Sequence, residues 1–343
     1  MILRRFYNDQ LAQASYLLAC DTTRQALVVD PNLDLRQYVD AAAAEGLTIV
    51  CVTETHIHAD YVSASRQLAA LTGAQLALSA EGGSDWTYRV SERLAGQTTW
   101  LHDGDELAIG TLTVRAIHTP GHTPEHMAFL VTDTTVADRP VGLLSGDFIF
   151  VGDVGRPDLL ERAAGVANTM RQSARDLYAS LERAATLPDY LQLWPGHGAG
   201  SACGKALGAL PQSTLGYERI ANPALRHGNE AAFVADILSA QPEPPRYFAR
   251  MKRVNRDGMP DATGRPMARL SPAEVHRASA TARWWSIPAP RRSSWRSSCT
   301  GRCASRGPSR FSPTLAAWRR TNAPWCCWLP IPPTQRRSRA GCT

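Results

Sequence analysis

Four short segments of the chain carry the residue types that hold a divalent metal. Thr55-His56-Ile57-His58-Ala59-Asp60 gathers two imidazoles and a carboxylate. Thr119-Pro120-Gly121-His122-Thr123, Ser145-Gly146-Asp147 and Trp194-Pro195-Gly196-His197 add two more imidazoles and a second carboxylate. Neutral imidazole and carboxylate are the ligands that suit zinc and iron. Two histidines at spacing two are by themselves more often ordinary loop residues. What changes the weighting is that each of the four segments directly follows a β-type run.

Those runs fall at 49–53, 112–118, 141–145 and 190–194, and the ligand loops of an α/β sheet converge at the ends of its strands. Further β-type runs occupy 2–7, 15–19, 25–30, 75–78 and 127–131. A helical stretch covers 33–45, opened by the turn Asp30-Pro31-Asn32. Met170, Ala174, Leu177, Tyr178 and Leu181 repeat as the stripe of an amphipathic helix, and further helices are expected at 202–207 and 231–239. Strands alternating with outer helices predict a layered α/β body.

The ordered set His-x-His-x-Asp, Thr-Pro-Gly-His-Thr, Gly-Asp and Pro-Gly-His resembles the metallo-β-lactamase superfamily over residues 1 to about 220. The resemblance implies a four-layer αββα sandwich and a metal on His56, His122 and Asp147. Binuclear hydrolases of the glyoxalase II group usually follow this first carboxylate with a histidine, but here that position is Tyr61. A phenol is a much poorer donor to a divalent metal than imidazole. Gly155-Arg156-Pro157-Asp158, the run from Pro195 to Gly204, and the run from Tyr247 to Asn255 resemble the persulfide dioxygenase branch, in particular members fused to a rhodanese domain.

That branch implies one Fe(II) per chain, with zinc as the alternative, on a facial triad of two histidines and one carboxylate that leaves positions open for substrate and oxygen. The implied substrates are a small-molecule persulfide, such as glutathione persulfide, and O2; the products are sulfite and thiol. By the same resemblance His58, Asp60 and His197 sit where hydrolases hold a second metal, and here they would orient ligands or oxygen by hydrogen bonds. Arg156, Tyr61 and Lys252 are the candidate substrate contacts. For Arg156 an ion pair with Asp153 or Asp158 is an equal alternative, and for Lys252 a solvated surface is the better expectation. Cys203 reads as a packed thiol, and His118 and His126 as structural. Two other functions stay open: a glyoxalase II-like thioester hydrolase, and a metal-binding inactive or regulatory member of the fold.

Composition divides the chain. Residues 283–343 hold twelve arginines, no lysine and no acidic residue, with six of the nine tryptophans and five of the eight cysteines. Those arginines exceed the formal +6 of the whole chain and leave residues 1–282 at −6. The acidic body argues against nucleic acid as a partner. No window approaches the roughly 18 apolar residues of a membrane span, so a soluble, cytoplasmic protein is expected, with homo-oligomer formation left open. The expected domains are a catalytic body at 1–260, a linker and the start of a rhodanese domain at 261–282, and a disordered tail at 283–343. The tail has the marks of a shifted reading frame: moving the codons of Arg283-Trp284-Trp285-Ser286-Ile287 by two bases can yield Val-Val-Val-Asp, a core strand, and the same offset turns Pro324-Trp325-Cys326-Cys327-Trp328 into another.

Overall fold

The computed structural model describes residues 1–162 and 169–259; the expectations for 261–282 and 283–343 lie outside the described residues. The first of its two six-stranded sheets runs β1 (Ile2–Asn8), β2 (Gln13–Ala19), β3 (Gln25–Val29), β4 (Thr48–Thr53), β5 (Gln75–Ser79), β6 (Thr98–Leu101) in spatial order. β1 to β3 are antiparallel, and β3 to β6 are parallel. The second holds β7 (Glu106–Ile109), β8 (Leu112–His118), β9 (Met127–Asp133), β10 (Gly142–Gly146), β11 (Gln192–Pro195) and β12 (Ser213–Thr214), again as neighbours in that order. Only β10 and β11 are parallel there.

Strand β2 shows why the sheets stack. Ala14, Tyr16 and Leu18 enter the core between the sheets with Val114, Phe129 and Leu144, while Leu17 and Ala19 point the other way. Its two faces are both apolar because both are covered. Helices α1 (Leu35–Ala44) and α2 (Ser65–Thr72) cover the outer side through Tyr38, Ala42, Leu68 and Ala69. The short α3 (Glu92–Ala95) adds Leu94 to this layer. Beyond α4 (Leu159–Arg162), α5 (Met170–Ala184), α6 (Leu215–Ala221) and α7 (Glu230–Ile237) bury Ala174, Leu177, Leu181, Leu215 and Phe233 against the second sheet. A final helix, α8 (Phe248–Asp257), inserts Phe248 beside Phe150, Leu159 and Cys203. The architecture is the expected αββα sandwich.

Four elements depart from expectation. Residues 202–207 are turns rather than a helix, because the Asp153 carboxylate accepts the backbone N–H groups of Lys205 and Ala206 at 2.6 and 2.8 Å. α2 escaped notice because it is two turns long and follows the ligand loop closely; Gly73, at φ 73°, ends it by taking the left-handed conformation. β6 and β7 are four residues each, too short for periodicity to register. No helix among the described residues is long and apolar enough to cross a membrane.

Candidate metal centre

The topology brings the four motifs together. β10 and β11 are parallel, with Gly146 opposite Pro195, so Asp147 and His197 leave adjacent strands at one edge. The loop after β4 meets the second sheet through a Met127 N–H to Thr55 carbonyl bond of 2.7 Å, and Gly196 bonds to Gly146 and Ala14. Close approach requires glycine here. A Cβ at Gly196 would stand 2.8 Å from Asp147 Oδ1, and one at Gly155 would overlap the Asp147 carbonyl oxygen.

His56, His122 and Asp147 converge with their donor atoms within 4.8 Å of one another, all buried. The Nε2 atoms of His56 and His122 lie 3.9 and 3.4 Å from Asp147 Oδ2. His56 Nε2 and both Asp147 oxygens have no hydrogen-bond partner. Buried polar atoms left in this way are costly, and a divalent cation would satisfy all of them. The donor set therefore fits a metal.

The ligands are held from behind. His122 donates from Nδ1 to the Arg156 carbonyl at 3.0 Å, leaving the Nε2 lone pair facing inward. His56 Nδ1 meets the Thr55 hydroxyl at 3.0 Å, and that hydroxyl donates to Asp30 Oδ2 at 2.9 Å. The Asp147 N–H donates to His126 Nε2 at 3.0 Å, while His126 Nδ1 bonds Thr119 Oγ1 at 2.7 Å. Burial is the largest cause holding His56 and His122 below the ordinary imidazole pKa, so both are neutral, the form that binds metal. Burial opposes ionisation of Asp147, but the surrounding imidazoles outweigh it and keep its pKa low.

The other expected site residues separate. His58 turns its Nε2 to Asp30 Oδ1 at 3.0 Å; burial disfavours its charge, yet Asp30 lifts its pKa to about 9. It therefore does not join Asp60 and His197. Those two form a second group with Cys203, again with donors within 4.8 Å. The Tyr61 hydroxyl donates to the Asp30 carbonyl at 3.2 Å in a buried position, so it does not present itself to a substrate. Arg156, read as a substrate contact, is fully buried and grips Asp158 with two bonds of 3.0 and 2.7 Å. Of the alternatives for Arg156 it is the ion pair that forms. Lys252 is half-buried and places its ammonium over the Trp86 ring, 3.3 Å from the centroid, rather than standing free in solvent.

Asp30, Asn255 and Glu125 were missed. Asp30 had been read as part of a turn, although a carboxylate immediately after a strand could have flagged it. Asn255 donates to the carbonyls of His58 and Tyr61, both at 2.7 Å, and accepts the Ser63 N–H at 2.9 Å. One side chain on α8 thus fixes the first ligand loop. Asn255→Ala is expected to destabilise the protein by about 2–3 kcal/mol, since buried backbone groups lose their partners, and to weaken metal binding about tenfold. Urea unfolding and metal titration check both; an unchanged metal affinity would show that α8 does not control the loop.

Glu125 accepts the Ile57 N–H at 2.7 Å from a fully buried position. Burial is the main cause raising its pKa from 4.5 to about 7. Below pH 4.5 it is protonated in both states; between about 4.5 and 7 the unfolded chain releases the proton first, so stability falls as pH rises. The full loss, reached above the folded pKa, is about 3 kcal/mol. Glu125→Gln should remove this loss, so in metal-free protein the variant gains on the parent by about that amount between pH ~4.5 and ~8. A pH-independent difference in urea unfolding would assign the titration elsewhere.

Comparisons with known proteins agree with this geometry. The family model described as the metallo-beta-lactamase superfamily matches residues 8–197. A crystal structure of a metallo-beta-lactamase from Staphylococcus aureus subsp. aureus COL is 44% identical, with a TM-score of 0.69, covering 76% of this chain and 73% of that one. The mitochondrial persulfide dioxygenase ETHE1 of Bos taurus is 28% identical over 66% of this chain and 76% of its own length. A hydroxyacylglutathione hydrolase of Synechococcus sp. is 30% identical over 69% of this chain and 92% of its own. The chain spans about half the length, 54%, of the beta-lactamase hydrolase-like proteins of Xylella fastidiosa that it also matches. With a family match over more than half its length and the ligand loops assembled at the strand ends, the chain belongs to the metallo-β-lactamase superfamily.

Proposed function

We propose that the chain is an Fe(II)-dependent persulfide dioxygenase, converting a low-molecular-weight persulfide, O2 and water to sulfite and the thiol. The observation that carries this reading is the commitment of His58 to Asp30. It leaves two imidazoles and one carboxylate as the convergent set, the facial pattern of non-haem iron oxygenases, rather than three imidazoles. The similarity to ETHE1 supports the same reading.

Iron, held by His56, His122 and Asp147, would supply the Lewis-acid and oxygen chemistry of the reaction. The chain's own part is positional. His122 and Arg156, Asp147 and His126, and His56 and Thr55 are pairs that fix three ligand directions before substrate arrives. The buried walls exclude bulk water, which protects a reactive sulfur from side reactions.

The second reading, a thioester hydrolase, is favoured by the similarity to hydroxyacylglutathione hydrolase and by the pairing of Asp60 with His197 at 3.2 Å beside the triad. The two diverge in their need for oxygen. Full-length protein purified without air and reconstituted with iron should consume O2 when given glutathione persulfide and release sulfite. Hydrolysis of S-lactoylglutathione under argon, with no oxygen uptake, would overturn the dioxygenase reading.

A further inference from the structure

We propose that the cleft between α5 and the outer face of the second sheet binds a single-chain anionic amphiphile, an alkyl carboxylate of medium length. The inference goes beyond the oxygenase reading and stands whichever reaction the triad performs, because none of His56, His122 and Asp147 lines the cleft. Its volume is about 320 Å³, at the small end of the range for ligand sites. One alkyl chain suits that space better than a ring system.

The walls are apolar because of strand alternation. Val114, Ala116 and Phe129 enter the core between the sheets, so their neighbours Ile117, Ala128 and Leu130 turn toward α5. Leu143, Phe148 and Leu187 complete this lining. The hydroxyls that reach the cleft are already used. Thr119 Oγ1 meets His126 Nδ1 at 2.7 Å, Ser180 donates to the Pro120 carbonyl at 2.8 Å, and Thr186 donates to the Arg183 carbonyl at 2.8 Å. A polar body placed against these walls would give up its bonds to water for little in return. An alkyl chain gives up none.

The charged groups that line the cleft are Arg115, Arg183 and Asp103, so positive charge is in excess there. Asp103 is fully engaged: it accepts the His118 N–H at 2.7 Å and receives Arg183 on its two oxygens at 3.1 and 3.2 Å. Arg115 is exposed and, among the described residues, makes no hydrogen bond or ion pair. Glu106 is its register partner on β7 but does not line the cleft. The Arg115 Nη2 lies 3.6 Å from where a Cβ on Gly104 would stand, and Leu130 is its register partner on β9. The uncommitted guanidinium thus stands beside the apolar wall. A carboxylate at the end of a chain seated against Leu130 and Leu143 would meet that planar fork with both of its oxygens.

Sodium decanoate is the probe, with hexanoate, octanoate and the neutral decanol as companions, each titrated calorimetrically into the full-length protein below its aggregation concentration. Decanoate is expected to bind saturably, and each step of two methylenes from hexanoate to decanoate should tighten binding about tenfold. Arg115→Gln should weaken decanoate about fivefold, as loss of a well-placed ion pair in solvent does, and leave decanol unchanged. Leu130→Trp and, separately, Leu187→Trp fill the cleft and should remove binding of both compounds, with circular dichroism showing that the fold persists. Because Arg115→Gln alters an exposed side chain, its result stands even where a tryptophan variant fails to fold. Decanoate binding that is unchanged in Arg115→Gln belongs elsewhere, the metal centre included, and overturns the proposal. Absence of saturable binding, or an equal loss of decanol and decanoate in Arg115→Gln, does the same.

Discussion

Asp147→Ala is expected to lower metal retention by at least about 100-fold, above the 10- to 100-fold that loss of a merely supporting group costs, and, on the proposed function, to abolish persulfide-dependent oxygen uptake. The reason lies in its position. Asp147 is the carboxylate of the triad, its side chain has no hydrogen-bond partner, and both of its oxygens face imidazoles. Its backbone is fixed independently by His126, so the substitution removes a ligand without releasing the loop. Asp147→Asn separates charge from shape: the amide keeps the volume but loses the negative charge that neutralises a divalent ion. Iron per chain, measured after dialysis against a weak chelator, and circular dichroism together check the result. Full iron retention in either variant, with the fold intact, would remove Asp147 from the centre.

The ligands were legible in the sequence because each sits directly after a strand, where the chain's local order and the spatial convergence coincide. This rule gathered His56, His58, Asp60, His122, Asp147 and His197 as candidates, the family resemblance picked His56, His122 and Asp147 from among them, and the layered sheets followed from the same strands. The supporting groups obey a different logic. Asn255 lies 194 residues from Tyr61 along the chain, and nothing local to α8 announces that its amide will meet that loop. Glu125 and Asp30 bond to backbone N–H groups of the first ligand loop from distant segments. Arg156 was legible only as two equal alternatives. A guanidinium beside a glycine in a motif-rich loop reads either as an anion receptor or as the partner of Asp153 or Asp158, and only the folded loop shows that Asp158 turns back to meet it.

Arg156→Met is expected to cost about 3–5 kcal/mol of stability, the usual consequence of leaving one partner of a buried ion pair without the other. The fully buried guanidinium makes two bonds to Asp158 and reaches the carbonyls of Ala202 and Pro242 at 3.2 and 2.6 Å. It therefore ties three segments together around the metal, while its own carbonyl orients His122. Arg156→Lys should recover little, because an ammonium cannot reproduce the planar fork that grips a carboxylate with two parallel bonds. Pairing Arg156→Met with Asp158→Leu should restore much of the loss, since no uncompensated charge then stays buried. Metal affinity is expected to remain about tenfold weaker even in that double variant, as the carbonyl behind His122 is no longer held in place. A substrate contact would behave otherwise, raising KM for the persulfide while leaving the urea midpoint where it was. Unfolding curves and steady-state oxygen uptake on the same three variants separate the two roles, and a raised KM at unchanged stability would return Arg156 to the substrate.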